Sequence, residues 1–330
     1  MIKQEFGEAF KQPVEALGDN LLINYADRIE NSVALLAVKD ILIASVGNIS
    51  VIGGKQKSRK SFFTNMLLTA YLEGEYGVIT GNSNEKRPAL LFDTEMGKNH
   101  VQKSLRRICR MCGLNEQHDR LKVFFLRECS IQERIEIVKT QVEKYKPGFV
   151  VIDGAVDLCA NFNDIDASTN VVQCLMELSS KYNCHITTIL HENKGLADSN
   201  LRGHLGTILS QKCESVIQLQ KDGENTRASA VATRNIPFDD FLFKINDEGL
   251  PTILELVSVP PKPTAEDKMI KVMRLVLDEK ALNYGILQKE YEEAAGVKER
   301  TAQSHIAKCL QLKIIYKSDT DDKYRCTKYR

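Results

Sequence analysis

An apolar segment that runs into a basic, glycine-containing loop and then a helix is the feature that most limits how this chain can fold. Residues 49–61 read ISVIGGKQKSRKS, and a helical pattern follows over residues 62–72. In a strand–loop–helix unit of this kind, the backbone N–H groups of the loop and of the first helical turn point at an anion. The unit therefore predicts a phosphate-binding loop and a nucleotide-binding protein.

The loop matches the pattern G-x-x-x-x-G-K-[ST] at Gly54, Lys60 and Ser61, but Arg59 stands where the second glycine belongs. We expect Lys60 to reach the terminal phosphates and the Ser61 hydroxyl to bind Mg²⁺. A Cβ atom at position 59 is costly if the backbone needs a positive φ there. A basic surface turn is the alternative. The residues expected to contact the nucleotide are Gly53, Gly54, Lys55, Gln56, Lys57, Ser58, Arg59, Lys60, Ser61 and Phe62.

Composition excludes several classes of protein. The net charge is +1, so nucleic-acid binding must come from local basic patches rather than from a global field. Nine scattered cysteines without a signal peptide suit a reducing cytosol better than a disulfide framework, and we expect a cytoplasmic protein. The apolar run 33–46 is broken by Lys39 and Asp40 and is shorter than the ~20 residues of a membrane span. No membrane partner is expected.

The chain is long enough for one large domain and one small one, at ~100–200 residues per domain. Residues 1–45 are expected to be an amphipathic lead-in. Over residues 46–258, apolar runs alternate with helical patterns, which predicts a mainly parallel α/β sheet with helices on both faces. The strand candidates after the loop are residues 89–92, 123–126, 149–152, 186–190, 215–219 and 228–233.

A stiff linker, VPPKP at residues 259–263, precedes a small C-terminal domain at residues 264–330. Helical patterns at 266–280, 286–295 and 299–312, followed by two short strands around residues 318–322, predict a winged helix-turn-helix domain. Protein docking is the alternative to nucleic-acid binding, because Glu290, Glu292 and Glu293 would repel phosphate. The residues expected to reach bases or phosphates are Arg300, Gln303, His305 and Lys308 on the third helix, and Lys317, Lys323 and Arg325 on the wing.

Polar side chains end three of the predicted strands. Asp153 ends FVVID and is a candidate to support Mg²⁺ together with Ser61, although a helix-capping role is the alternative. Because Gly154 follows it rather than an acid, the catalytic base must lie elsewhere. Glu95, at the end of LLFDTE, is the candidate base, whereas Asp93 is a lesser candidate that suits a structural role.

His191 ends a third strand, ITTILH, where it would sense the γ-phosphate. A satisfied structural histidine is the alternative. The connection that follows, residues 192–204, is longer than most loops, which favours a functional or mobile segment. Its Lys194 and Arg202 are candidates for DNA contact.

These strand ends, in this order, resemble the RecA-like ATPases. Within that group the chain is most similar to plasmid replicative helicases of the RepA type, to DnaB-like ring helicases and to ATPases of bacterial mobile elements. The resemblance covers about residues 45–245. The segments that carry it are Lys60-Ser61, Phe92-Asp-Thr-Glu95, Val150-Val-Ile-Asp153, Leu190-His191, Arg202-Gly203 with the downstream Lys212, and Ala232-Thr-Arg-Asn235.

The resemblance implies roles for single residues. Lys60 and Ser61 would bind the β/γ-phosphates and Mg²⁺, Glu95 would be the base, and Asp153 would support the metal. His191 would couple the nucleotide state to the DNA-facing loop. Two further residues, Lys212 and Arg234, match places from which a basic side chain enters the neighbouring subunit's site. Simple surface solvation is the alternative for both of these.

The sequence thus predicts an ATP- and Mg²⁺-dependent, DNA-associated motor or helicase-like protein that acts in replication or mobilisation of a genetic element. Its expected partners are single-stranded or duplex DNA, further copies of itself, with a hexameric ring as one arrangement, and replication or mobilisation proteins. Two alternatives remain open. One is a nucleotide-gated DNA-binding regulator with little turnover, and the other is an ATPase that acts on a protein client.

Overall fold

The computed structural model describes residues 21–193, 201–254, 265–278 and 280–327. The chain divides into two compact units, Met1–Val257 and Ser258–Arg330. The predicted linker 259–263 lies outside the described residues, as do the first 20 residues of the predicted lead-in.

The first unit is an α/β domain. Its helices are α1 (Lys60–Glu73), α2 (Lys98–Met111), α3 (Ile131–Tyr145), α4 (Ile165–Lys181) and α5 (Gly203–Lys212), with a short 3₁₀ helix at Ala155–Leu158. Its strands are β1 (Ala34–Val38), β2 (Ile41–Ser45), β3 (Ile49–Gly54), β4 (Glu75–Tyr76), β5 (Ile79–Gly81), β6 (Ala89–Asp93), β7 (Leu121–Phe125), β8 (Phe149–Asp153), β9 (His185–His191), β10 (Ser215–Asp222), β11 (Asn225–Thr233), β12 (Phe241–Ile245) and β13 (Pro251–Ile253).

Nine of these strands form one sheet in the order β13-β12-β11-β10-β3-β9-β8-β6-β7. The strands from β10 to β7 are all parallel, whereas β11, β12 and β13 extend the sheet with antiparallel pairs. The predicted mainly parallel sheet is confirmed and fits a RecA-like fold. All six strand candidates after the loop are strands, although their ends differ by up to three residues.

Two apolar cores cover the two faces of this sheet. One contains the buried side chains of α1 and α2, such as Phe63 and Ile108, and the other contains those of α3, α4 and α5, such as Val142, Leu175 and Leu209. The unbroken apolar runs of strands such as β8, whose five residues are all buried, follow from burial on both faces. The prediction of helices on both faces is therefore confirmed.

The predicted lead-in is wrong for residues 34–45, because these form the hairpin β1–β2 in a second sheet of order β2-β1-β5-β4. The two turn residues, Lys39 and Asp40, have φ values of 47° and 68°. Two consecutive left-handed residues make the tight turn that matches the twist of a hairpin. The sequence reading treated these charges only as a break in an apolar run.

The second unit contains helices α6 (Ala265–Val276), α7 (Tyr284–Ala295) and α8 (Glu299–Gln311), followed by the antiparallel strands β14 (Ile315–Lys317) and β15 (Tyr324–Cys326). A further antiparallel bridge joins Leu282 to Tyr324. Its core includes Met273, Tyr291 and Ile306. The predicted three helices and hairpin are present, and the first helix ends four residues earlier than expected.

Among the described residues, no helix is both long and apolar enough to cross a bilayer. In the same ranges, no group of three or more His, Cys, Asp or Glu side chains is arranged to hold a metal ion.

Candidate functional site

Parallel pairing brings the predicted site residues to one edge of the large sheet. Gly54 of β3 lies opposite His191 of β9, and Asp93 of β6 lies opposite Asp153 of β8. Ligands of open α/β sheets bind outside this carboxyl edge. The loop that follows β3 and the first turn of α1 lie at the same edge.

The phosphate-binding loop adopts the backbone that its sequence predicts. Arg59 lies in the left-handed region with φ 64° and ψ 31°, immediately before α1, and Lys57 has φ 62°. The expectation of a positive φ at the missing glycine is confirmed. Each such residue carries a strain of about 1–2 kcal/mol compared with glycine. Gly54, by contrast, needs its missing side chain, because a Cβ atom there would lie 2.6 Å from the carbonyl oxygen of Leu219.

Lys60 is almost fully buried, with 8 % exposure, and its ammonium group points back into the loop. Its Nζ donates to the carbonyl oxygens of Gly54 and Lys55, each at 2.9 Å, and to Nδ1 of His191 at 3.1 Å. Burial lowers the pKa of Lys60, while the charges of Asp153, Glu95 and Glu192 oppose that shift.

His191 connects Lys60 to Glu95. The imidazole Nε2 lies 3.5 Å from Oε1 of Glu95, while Nδ1 faces Lys60. An ammonium group can only donate, so this geometry requires the neutral ring with its proton on Nε2. The hydrogen bond from His191 holds the pKa of Glu95 below its usual value, and the Lys60 charge adds to that effect. Glu95 is therefore ionised at neutral pH and free to accept a proton.

The turn that carries Glu95 is built by its neighbours. Buried Asp93 accepts the backbone N–H groups of Glu95 and Met96 at 3.1 and 2.8 Å, which places it in a supporting position. Gly154, with φ 97°, leaves the room that Glu95 needs, because a Cβ atom there would lie 2.9 Å from the Glu95 Cγ. The glycine that follows Asp153 is thus part of the site's packing, a role that the sequence reading missed.

Ser61 and Asp153 form the expected metal-supporting pair. The Ser61 hydroxyl donates to Oδ2 of Asp153 at 3.0 Å. Burial, together with the nearby carboxylates of Asp93 and Glu95, raises the pKa of Asp153 to about 7. A divalent cation would counter all three effects, and hydroxyl and carboxylate oxygens are the ligands that Mg²⁺ prefers. These residues therefore fit Mg²⁺, which would supply positive charge beside the phosphates.

We expect Asp153→Asn to stabilise the chain at pH 8 and to abolish its stabilisation by Mg²⁺ with ATP. The folded state keeps the Asp153 proton up to about pH 7, whereas the unfolded chain releases it near the ordinary value of 3.8. Wild-type stability therefore falls as the pH rises through this window, by roughly 1.4 kcal/mol per unit of pKa difference at most. Melting temperatures at pH 5 and pH 8, with and without Mg²⁺-ATP, measure both effects. A variant that is less stable than wild type at pH 8 would contradict the burial argument.

A polar cleft of about 830 Å³ opens beside the end of β9, and it is lined by Asn193, Leu201 and the start of α5. In it the Arg202 guanidinium lies 4.6 Å from the centre of the Phe162 ring. The backbone N–H of Arg202 donates to the carbonyl oxygen of His191 at 3.0 Å. The other predicted DNA contact of this loop, Lys194, lies outside the described residues.

Two residues at this cleft were not found from the sequence. Phe162 is an aromatic residue in the polar stretch 160–164, which is the only signal that it carries. Leu201 packs against β3 at Gly53, where a Cβ atom would lie 2.4 Å from the Leu201 side chain. The cleft and the strand that leads into the phosphate-binding loop are therefore in direct contact.

Lys212 and Arg234 lie at the opposite edge of the sheet from the phosphate-binding loop. The residues next to them, Ser215 of β10 and Thr233 of β11, pair with each other, and Ser215 also pairs with Ser50 near the start of β3. Both side chains are exposed. The Arg234 guanidinium donates to the carbonyl oxygen of Lys212 at 2.9 Å, and its own backbone N–H donates to Glu214.

In the second unit the structure contradicts part of the predicted nucleic-acid surface. His305 is half-buried and its Nδ1 meets the Tyr291 hydroxyl at 3.0 Å, so it packs against α7 rather than facing a ligand. Lys308 pairs with Glu266 at 2.5 Å, and Arg325 pairs with Asp321. Lys317 is paired as well, with Asp322 at 2.7 Å. The predicted residues whose side chains are exposed and carry no ion pair are Arg300, Gln303 and Lys323.

Residues 36–197 match the family model described as AAA domain. This match and the loop geometry support a P-loop ATPase, and such domains bind nucleotides, usually with Mg²⁺. No curated protein sequence matches the chain.

Two solved structures are similar to part of the chain. The crystal structure of the RadB recombinase is 17 % identical with a TM-score of 0.45, over 62 % of this chain and 90 % of that one. The ATPase domain of a DnaB-like helicase is 12 % identical with a TM-score of 0.46, over 63 % of this chain and 85 % of that one.

Proposed function

We propose that this chain is an ATP-hydrolysing, DNA-associated motor that works as an oligomer in replication or mobilisation of a genetic element. In this proposal Lys60 and Ser61 bind the phosphates and Mg²⁺, Asp153 supports the metal, and Glu95 deprotonates the attacking water. Lys212 and Arg234 act in the site of the neighbouring subunit. The match to the AAA domain model and the geometry of the phosphate-binding loop support the ATPase part of the proposal.

The observation that carries the DNA part of the proposal is the direct link between His191 and Arg202. His191 contacts both Lys60 and Glu95, and its carbonyl oxygen is bound by the backbone of Arg202, which stacks on Phe162. An aromatic ring beside an arginine is the arrangement on which single-stranded bases stack. A base held there would bear on the residue that senses the nucleotide.

We expect single-stranded DNA to stimulate ATP turnover, and Phe162→Ala to weaken that stimulation with little change in turnover without DNA. Stacking contributes ~1–3 kcal/mol per base, so the DNA concentration for half-maximal stimulation should rise roughly 5- to 150-fold. Tyr182→Ala is the matched control, because Lys181 lies 4.9 Å from that ring at the far end of α4. Turnover titrated with single-stranded and with duplex DNA measures the effect. Equal responses of the two variants would contradict a stacking role for Phe162.

The second unit has a specific observation in favour of a protein client. Its predicted DNA-binding cations at Lys308, Lys317 and Arg325 are each neutralised by an acid of the same unit. We propose that the unit is a winged helix whose remaining cations, Arg300 and Lys323, make at most weak phosphate contacts. In the same turnover assay, a chain that ends at residue 257 should keep its response to single-stranded DNA. Loss of that response on truncation would assign the DNA contact to the winged helix instead.

A nucleotide-gated regulator with little turnover is the remaining alternative. The approach of Glu95 to His191 and of Ser61 to Asp153 favours hydrolysis over simple binding. Turnover that stays at background with both kinds of DNA, together with measurable ATP binding, would favour the regulator.

A further inference from the structure

Arg59 replaces a glycine in the phosphate-binding loop and keeps a left-handed backbone that glycine would adopt freely. Its side chain leaves the loop and reaches the β10–β11 hairpin. There the guanidinium Nη1 donates to the carbonyl oxygen of Glu224 and lies 3.4 Å from the Thr226 hydroxyl. The strained residue of the loop is therefore also the one that is fastened to a neighbouring element.

The hairpin is a firm anchor for this contact. Thr226 is fully buried in β11. The next residue, Arg227, pairs with Asp222 at 2.9 Å and with Asp240 at 3.5 Å, which ties both strands of the hairpin to the segment before β12. The loop also touches β10 at a second point, because Gly54 lies close against the carbonyl oxygen of Leu219. The loop thus rests on one hairpin at two places.

We propose that Arg59 is a positioning residue that clamps the phosphate-binding loop to the β10–β11 hairpin and so holds the loop ready for a triphosphate. The proposal rests on the proposed function, because ATP is the ligand assigned to the loop there. Pre-ordering a loop lowers the entropic cost of binding, so the clamp acts on ATP affinity. It does not touch Glu95 or His191, so turnover at saturating ATP should remain.

The clamp differs from a direct phosphate contact by Arg59, and Thr226 separates the two. If Arg59 clamps the loop, Thr226→Val removes one acceptor and weakens ATP binding in the same direction as Arg59→Ala. If Arg59 instead binds phosphate, Thr226→Val releases the guanidinium and leaves ATP binding unchanged or tighter. Valine keeps the buried shape of threonine, and the melting temperature checks that the variant folds.

The experiment measures KM and kcat for ATP in the full chain. Arg59→Ala should raise KM roughly tenfold with kcat within about twofold of wild type, and Arg59→Lys should recover part of the loss through a single amine. Arg59→Gly should still raise KM, because it relieves strain but loses the clamp. Arg110→Ala is the matched control, since Arg110 also donates to a turn carbonyl, that of Glu248, away from the loop. An unchanged KM in Arg59→Ala, or a fall in kcat alone, would overturn the clamp.

Hydrogen exchange of the loop amides tests the clamp without relying on ATP. The Ser58 N–H donates to the Lys55 carbonyl oxygen at 3.2 Å, and the Phe63 N–H donates to that of Arg59 at 3.1 Å. Arg59→Ala should speed exchange at both amides, whereas Arg110→Ala should not. A wild-type chain that neither binds nor hydrolyses ATP would refute the proposed function, while the exchange rates would still decide the clamp. Equal rates in wild type and Arg59→Ala would refute the clamp alone.

Discussion

Glu95→Gln is expected to lower kcat for ATP by roughly 10²–10⁴-fold while leaving ATP affinity close to that of the wild-type chain. The carboxylate is ionised because His191 and the Lys60 charge hold its pKa low, and its turn is fixed by Asp93. An amide keeps the size of the side chain and accepts the bond from His191, but it cannot take a proton from water. Steady-state turnover and direct ATP titration measure the two quantities separately.

Two further variants define what the loss in Glu95→Gln means. Lys60→Ala should weaken ATP binding itself, since its ammonium group is the charge at the centre of the loop. Asp157→Asn removes another carboxylate of this region, one that accepts from the Thr94 hydroxyl at 2.8 Å, and should change kcat by less than about tenfold. A wild-type rate in Glu95→Gln would remove Glu95 as the base. An equal loss in Asp157→Asn would indicate a general effect of local charge.

The convergence of the strand-end residues was predictable because it follows from one rule. The carboxyl ends of parallel strands meet at one edge, so Glu95, Asp153 and His191 had to gather near Lys60 once their strands were recognised. The strain at Arg59 was predictable for the same kind of reason, since the motif fixes where a positive φ is needed. Neither inference required knowledge of side-chain packing.

The second unit was harder to predict, because the face of a helix that packs inward depends on its neighbours. His305 follows a polar pattern on α8, yet it lies against Tyr291, which only the packing of α7 on α8 reveals. The pairing of Lys308 with Glu266 joins residues that are 42 positions apart in the chain. Charge patterns along the sequence cannot reveal such neutralisation, so the basic surface was overestimated.

The Arg59 contact and the antiparallel strands illustrate a second limit of sequence reasoning. Strand β11 was recognised from its apolar residues, but its pairing with β10 and the placement of its turn beside Arg59 depend on register. Register is fixed by the whole sheet rather than by any one strand. Phe162 and Arg202 were likewise separated by 40 positions and meet only in the fold.

Arg234→Ala is expected to abolish most ATP turnover alone and to regain activity when mixed with Glu95→Gln. Strand β11 is nine residues long, which at ~3.3 Å per residue spans about 30 Å between its two ends. Arg59 contacts the turn at one end and Arg234 follows the other end, so the Arg234 side chain cannot reach its own phosphate-binding loop. Its exposed guanidinium, oriented by the Lys212 carbonyl oxygen, is therefore available to a second copy of the chain.

The mixture has a quantitative expectation and a strict control. In randomly mixed closed assemblies, roughly a quarter of the interfaces join a loop from Arg234→Ala to an intact Arg234 from Glu95→Gln, so about a quarter of wild-type turnover should return. A mixture of Lys60→Ala with Glu95→Gln should stay inactive, because every interface then contains a defective loop or base. Lys212→Ala mixed with Glu95→Gln tests whether the lysine side chain also acts across the interface or only its carbonyl oxygen matters. No recovery in Arg234→Ala mixtures that demonstrably co-assemble, or full activity of an isolated monomer, would refute a site shared between subunits.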